Sequence, residues 1–180
     1  MFLGIEHVVA NADVLFAAYR DGVFRYLSRI VGHGDAGELT QEVFLRVARG
    51  PVPAADEGGR RAWVFRIARN LALNHVRDDR RRGIPAPLVD GASPATQELT
   101  TAMAEALDHL PDLDRDVFLM REAGGLSYGE IAQACDLTSD AVRSRLHRAR
   151  LQLRALLDPI LVSQRTHGVV RLYDRPRTDD

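Results

Sequence analysis

SYGEIAQACDLTSDAVRSRLHRAR (Ser127–Arg150) reads as two short helices joined by a tight turn. Ser127 with Glu130 three residues on forms a capping box, in which each side chain accepts from a free amide of the other's backbone. Ile131, Ala132 and Leu137 fall where they close the inner faces of the pair, and Thr138, Ser139 and Asp140 offer acceptors to cap the second helix. In that helix Val142, Leu146, Ala149 and Leu153 recur at spacings of four and three. One stripe is therefore apolar, and Arg143, Arg145, Arg148 and Arg150 fall mostly outside it. A helix-turn-helix lays such a second helix in the major groove of DNA. Taken alone, the stretch also fits a helical hairpin with a solvated arginine face.

Upstream of the hairpin, Leu99, Met103, Ala106, Leu107 and Leu110 form a helical stripe that Pro111 stops. A further helix carries Val117, Phe118, Leu119 and Met120 and ends at Gly124-Gly125. The acidic residues of Asp108–Asp116, set around a proline and a helix start, read as caps and solvated charges. Downstream, the last helix is expected to run to Leu157 and stop at Pro159, leaving a tail without periodicity. Residues 83–95 hold three prolines and little pattern, as a semi-rigid linker does.

In the first half, residues 1–11 carry no pattern. Val14, Leu15, Ala18, Phe24, Leu27, Ile30 and Val31 indicate a helix or helix pair ending near Gly32, with GHGD (Gly32–Asp35) as a break. A helix from about Ala36 to Arg49 follows, with Leu39, Val43, Phe44 and Val47 on one face and Glu38, Gln41, Glu42, Arg46 and Arg49 on the other. After a loop rich in proline and glycine, Arg60–Arg82 places Trp63, Val64, Ile67, Ala68, Leu71 and Val76 inward. Arg66, Arg69, Asn70, Asn74 and Arg77 then face out. From Arg60 to Gly83 eight arginines stand against Asp78 and Asp79, a local charge of +6. Exposed aromatics among arginines suit single-stranded nucleic acid, but Trp63 and Phe65 at this spacing fit a core better.

The whole chain of 180 residues has a net charge of only −1, so a nucleic-acid surface has to come from uneven distribution. All 24 basic residues are arginine, a uniformity that says nothing about phosphate recognition. The single cysteine, Cys135, suits a reducing compartment and falls on the inward side of its helix. No apolar run is long enough to span a bilayer and the N-terminus lacks a signal-peptide pattern, so no membrane insertion and a cytoplasmic location are expected. A Gly-rich phosphate loop and a His-Glu-x-x-His helix are absent, and the six histidines are scattered without ligand spacing. No catalytic residues, no metal site and no cofactor are expected. The fold class is all-α: two small helical domains on a Pro-rich linker, each carrying one basic helix.

These segments resemble a bacterial RNA polymerase sigma factor of the sigma-70 family, extracytoplasmic-function (ECF) subfamily. GELTQEVFLRVAR (Gly37–Arg49) resembles the polymerase-binding helix of region 2. RAWVFRIARNLALNHVRDDRRR (Arg61–Arg82) resembles the promoter-melting segment that follows, and Ala106–Leu153 resembles region 4 almost throughout. The resemblance implies a region 2 helical bundle over 12–83, a linker over 84–95, a region 4 helix-turn-helix over 96–158 and a tail over 159–180.

It further implies that core RNA polymerase binds at Asp35, Glu38, Leu39, Gln41, Glu42, Phe44 and Arg46. The minus-ten element of promoter DNA falls to Arg66, Arg69, Asn70, Asn74 and Arg77, with a flipped base captured near the Gly50–Gly59 loop. The minus-thirty-five element falls to Ser139, Asp140, Arg143, Ser144, Arg145 and Arg148. A cognate anti-sigma factor is implied as a further partner, and an extracytoplasmic or stress signal as the trigger. The chain departs from the family at Gly37 and Asn74, where carboxylates are usual, and at Asp136, where the turn usually has glycine. The three prolines of its linker are a fourth departure.

Overall fold

The computed structural model describes residues 3–53, 55–83 and 94–166, with side chains over 12–53, 55–83 and 100–158. Among these residues the chain forms α1 (Leu3–Arg49), α2 (Glu57–Arg82), α3 (Pro94–Asp108), α4 (Asp112–Glu122), α5 (Tyr128–Cys135) and α6 (Ser139–Thr166), with no strand. The all-α reading holds. Most of the linker and the end of the tail lie outside the described residues.

Gly32 divides α1: its φ of 81° and ψ of 169° are non-helical, and positive φ costs glycine least. Before the break α1 buries Leu15, Tyr19, Val23, Tyr26 and Leu27, and after it Ala36, Val43, Phe44 and Val47. The helix begins at Leu3, well ahead of the periodicity that starts near Asp13. Asp56 caps α2 by accepting from the Gly59 amide at 2.7 Å, and Gly83 ends it in the left-handed region at φ 72°. Phe65 is fully buried against Tyr26, edge to face at 5.8 Å, while Trp63 is partly buried.

The second group is built on α6, whose Val142, Leu146, Ala149 and Leu153 are all buried as their spacing predicts. They join Leu107, Leu110, Val117, Met120 and Ile131 in the apolar core. Proline at the first position of α3 loses no intrahelical bond, because that amide has no partner in any helix. The end of α6 differs from expectation: it passes through Pro159 to Thr166. Proline removes one rung and crowds one turn, at about 3 kcal/mol, but every later residue still has its amide and continues the ladder.

The turn between α5 and α6 sits as the sequence requires. The capping box is formed in both directions, and Asp136 takes φ 58°, ψ 51°, its amide donating to the Ala132 carbonyl. Aspartate tolerates this left-handed geometry better than most residues, whereas a β-branched side chain does not. Asp136→Val should therefore destabilise the second group by about 1–2 kcal/mol. Asp136→Gly should change little, since relief of strain is offset by the added freedom of the unfolded chain. Thermal melting of both variants checks this; equal melting temperatures would contradict it.

Candidate nucleic-acid and polymerase interfaces

On α6, Thr138 caps the helix, its Oγ1 accepting from the Ala141 amide at 3.2 Å. Opposite the buried stripe, Ser139, Asp140, Arg143, Ser144 and Arg148 are exposed and Arg145 is half-buried. Asp114, only 4% exposed, reaches this face from the first turn of α4. Its carboxylate accepts from Arg145 Nη1 at 2.6 Å and from Arg148 Nε at 3.3 Å. Two arginines are thus held from behind at fixed positions. Among the described residues Arg143 bonds only Asp140, one turn away at 2.8 Å on the same exposed face, and keeps its reach.

On α2, Asn70, Asn74 and Arg77 are exposed as expected. Arg66 and Arg69 are not free. Arg66 donates to the Gln133 carbonyl of α5, and Arg69 Nε donates to Asp116 Oδ2 of α4 at 2.8 Å. Asp116 is 3% exposed, so Asp114 and Asp116 correct the reading of this segment as solvated charge. Each is a buried carboxylate matched to arginine, the condition under which such a group is tolerated. Burial pushes the Asp116 carboxyl above its usual range, while Arg69 and Arg115 pull it back. Burial likewise works against the Arg69 charge, but Asp116 together with Cys135 and Tyr26 raises its pKa on balance.

At the end of α1, Asp35, Glu38, Gln41 and Arg46 are exposed, Leu39 and Glu42 are half-buried, and Glu42 accepts from Arg46 Nε at 2.7 Å. Phe44 differs: it is 7% exposed and packs edge-on against Phe16 at 4.9 Å. Its neighbour Leu45, which the sequence reading did not single out, is 47% exposed. Leu45 follows Gln41 and Glu42 by four and three residues, and that spacing was the available signal.

His75 Nε2 lies 3.2 Å from Oδ2 of both Asp35 and Asp79. This trio joins the two helices and is a donor set that a divalent ion would accept, although only the His75–Asp79 spacing is visible in sequence. Cys135 donates weakly to Met120 Sδ at 3.6 Å, and burial pushes its thiol up to about 11, so it stays protonated at neutral pH.

Residues 15–82 match the Sigma-70 region 2 family and residues 100–153 match Sigma-70 region 4. The chain is 32% identical over 159 residues to the ECF RNA polymerase sigma factor SigC of Mycobacterium tuberculosis, over 82% of this chain and 83% of that one. It belongs to the ECF RNA polymerase sigma factors. Such factors direct core RNA polymerase to promoters and initiate transcription without catalysis of their own. The ECF sigma-E factor of Escherichia coli is 29% identical over 168 residues, over 83% of this chain and 87% of that one.

Among solved structures, the sigma factor RpoE of Bartonella quintana, crystallised with the anti-sigma factor NepR, shares the fold at a TM-score of 0.64. That match has 20% identity and covers 81% of this chain and 96% of that one. In sigma-factor terms, the region 2 match spans α1 from Leu15 together with α2, and the region 4 match runs from within α3 to Leu153 of α6. The two regions meet where α2 runs along α5 and α1 touches α4. No helix among the described residues is long and apolar enough to cross a membrane.

Proposed function

We propose that region 2 extends over 12–83 and region 4 over 96–158, joined by 84–95 and followed by a tail at 159–180, and that each carries one promoter contact. Ser139, Asp140, Arg143, Ser144, Arg145 and Arg148 read the minus-thirty-five duplex. Arg66, Arg69, Asn70, Asn74 and Arg77 take the minus-ten strand as it opens. The observation that carries this is the split character of α6, with its apolar stripe fully buried and its polar stripe turned out on arginines braced by Asp114. Arginine bonded to guanine supplies about 1–3 kcal/mol of discrimination, whereas arginine on phosphate sets register.

Asp35, Glu38, Leu39, Gln41, Glu42 and Arg46 dock on core polymerase, and Leu45 joins them as the exposed apolar residue of that face. The buried Phe44 supports the face from below. The chain acts in the cytoplasm, answers an extracytoplasmic or stress signal, and is held by a cognate anti-sigma factor. The anti-sigma complex of the Bartonella quintana neighbour supports that last assignment through the shared fold.

Leu45→Asp tests the docking face. An interface leucine is worth about 1.5–3 kcal/mol, so affinity for core polymerase should fall about 10- to 150-fold while helix content stays unchanged. An unchanged titration would refute the interface. A helix-turn-helix regulator would instead bind its operator equally well with and without core polymerase. This chain should bind promoter DNA tightly only once core polymerase is present.

A further inference from the structure

We propose that Asp35, His75 and Asp79 form a binding site for a zinc-like divalent transition ion, which ties the docking half of α1 to the last turns of α2. The three side chains come from two helices. Asp35 stands three residues past the Gly32 break of α1, and His75 and Asp79 lie one turn apart on α2. His75 Nε2 is 3.2 Å from Oδ2 of each aspartate, and the three ligand atoms all lie within 4.8 Å of one another. Zinc bonds to imidazole nitrogen and carboxylate oxygen are about 2.0–2.2 Å long, which sets neighbouring ligand atoms of a tetrahedron about 3.3–3.5 Å apart. Two edges of the triangle already have nearly that length. The third closes by rotation of Asp35, whose side chain is 56% exposed and bonds only His75 among the described residues.

Hydrogen bonding alone leaves the cluster short. Nε2 carries either one hydrogen or one lone pair, so it serves one aspartate at a time and leaves the other without a full bond. A divalent ion takes the lone pair and both oxygens together, and its charge offsets the two carboxylates. The donors also choose the ion: imidazole suits zinc, nickel and copper, whereas magnesium and calcium prefer oxygen throughout. Asp79 is held from outside as well, its Oδ1 lying 3.4 Å from Arg82 Nη2, and such outer partners fix a ligand's orientation. Three protein ligands leave a position for water, the open form of a zinc site. Occupation draws the Asp35 carboxylate out of the docking face, so zinc weakens binding to core polymerase. That consequence rests on the assignment of Asp35 to the face.

Titration of the metal-free full chain with cobalt(II), followed by zinc, tests the site. One cobalt ion per chain should bind with the visible absorption of a four-coordinate ion, and zinc should displace it. His75→Gln and Asp79→Asn keep size and shape with helix content intact, and each should lower zinc affinity at least about 10-fold. Zinc should raise the melting temperature of wild type and leave both variants unmoved. Zinc binding unchanged in both variants, or cobalt bound without that absorption, refutes the site and leaves an ion bridge between helices. Core polymerase affinity, measured with and without zinc, tests the consequence: wild type should lose several-fold and His75→Gln nothing. Zinc bound at the trio with core affinity unmoved refutes the regulation. If Asp35→Asn also docks like wild type without metal, the docking assignment of Asp35 has failed and the metal site stands.

Discussion

Phe65→Ala is expected to destabilise the protein by about 3–5 kcal/mol, the loss typical of an aromatic ring removed from a closed core. Phe65 has no exposed surface, meets the Tyr26 ring edge to face, and lies under the backbone of Gly124. The ring therefore serves the core of region 2 and the seam with region 4 at once, and neither side can collapse into the space it leaves. Urea unfolding followed by the fluorescence of Trp63, the single tryptophan, measures this. The midpoint should fall sharply with little change in slope. A loss below about 1 kcal/mol would mean that the site is not packed as described.

Arg143→Ala should weaken binding to the preferred upstream duplex about 5- to 150-fold, corresponding to about 1–3 kcal/mol for an arginine that reads a base. Stability should barely move, because the pair with Asp140 is exposed on both sides and surface pairs contribute about 0–1 kcal/mol. Arg145→Ala and Arg148→Ala are expected to behave differently. Each leaves the buried Asp114 short of a partner, so stability and DNA binding should fall together. Titration of holoenzyme against the preferred site and a scrambled one separates the roles. If Arg143→Ala weakens both sites equally, Arg143 is a phosphate contact and not a reader.

What was legible in sequence was local. The capping box at Ser127 and Glu130, the stripe from Val142 to Leu153 and the break at Gly32 all involve neighbours on one helix or turn, and periodicity or turn chemistry records them. Pairing across the fold leaves no such trace. Arg69 and Asp116 are 47 residues apart, and Arg145 and Asp114 are 31 apart, so the two aspartates looked like ordinary charges beside a proline. Phe44 and Leu45 show a finer limit: both are apolar, one helical step of about 100° separates them, and only packing against Phe16 decides which is buried. The passage of α6 through Pro159 was missed because a helix tolerates one lost rung when the turns on either side hold.

The central claim is that one chain grips the promoter at two points and that the basic face of α2 engages the strand as it opens. Permanganate footprinting tests this most directly, with core polymerase reconstituted on a promoter selected from genomic fragments. The wild-type chain should make thymines near the minus-ten element reactive. Arg66→Ala combined with Asn70→Ala and Arg77→Ala should keep the upstream footprint and lose that reactivity. Undiminished thymine reactivity in the triple variant would contradict the account.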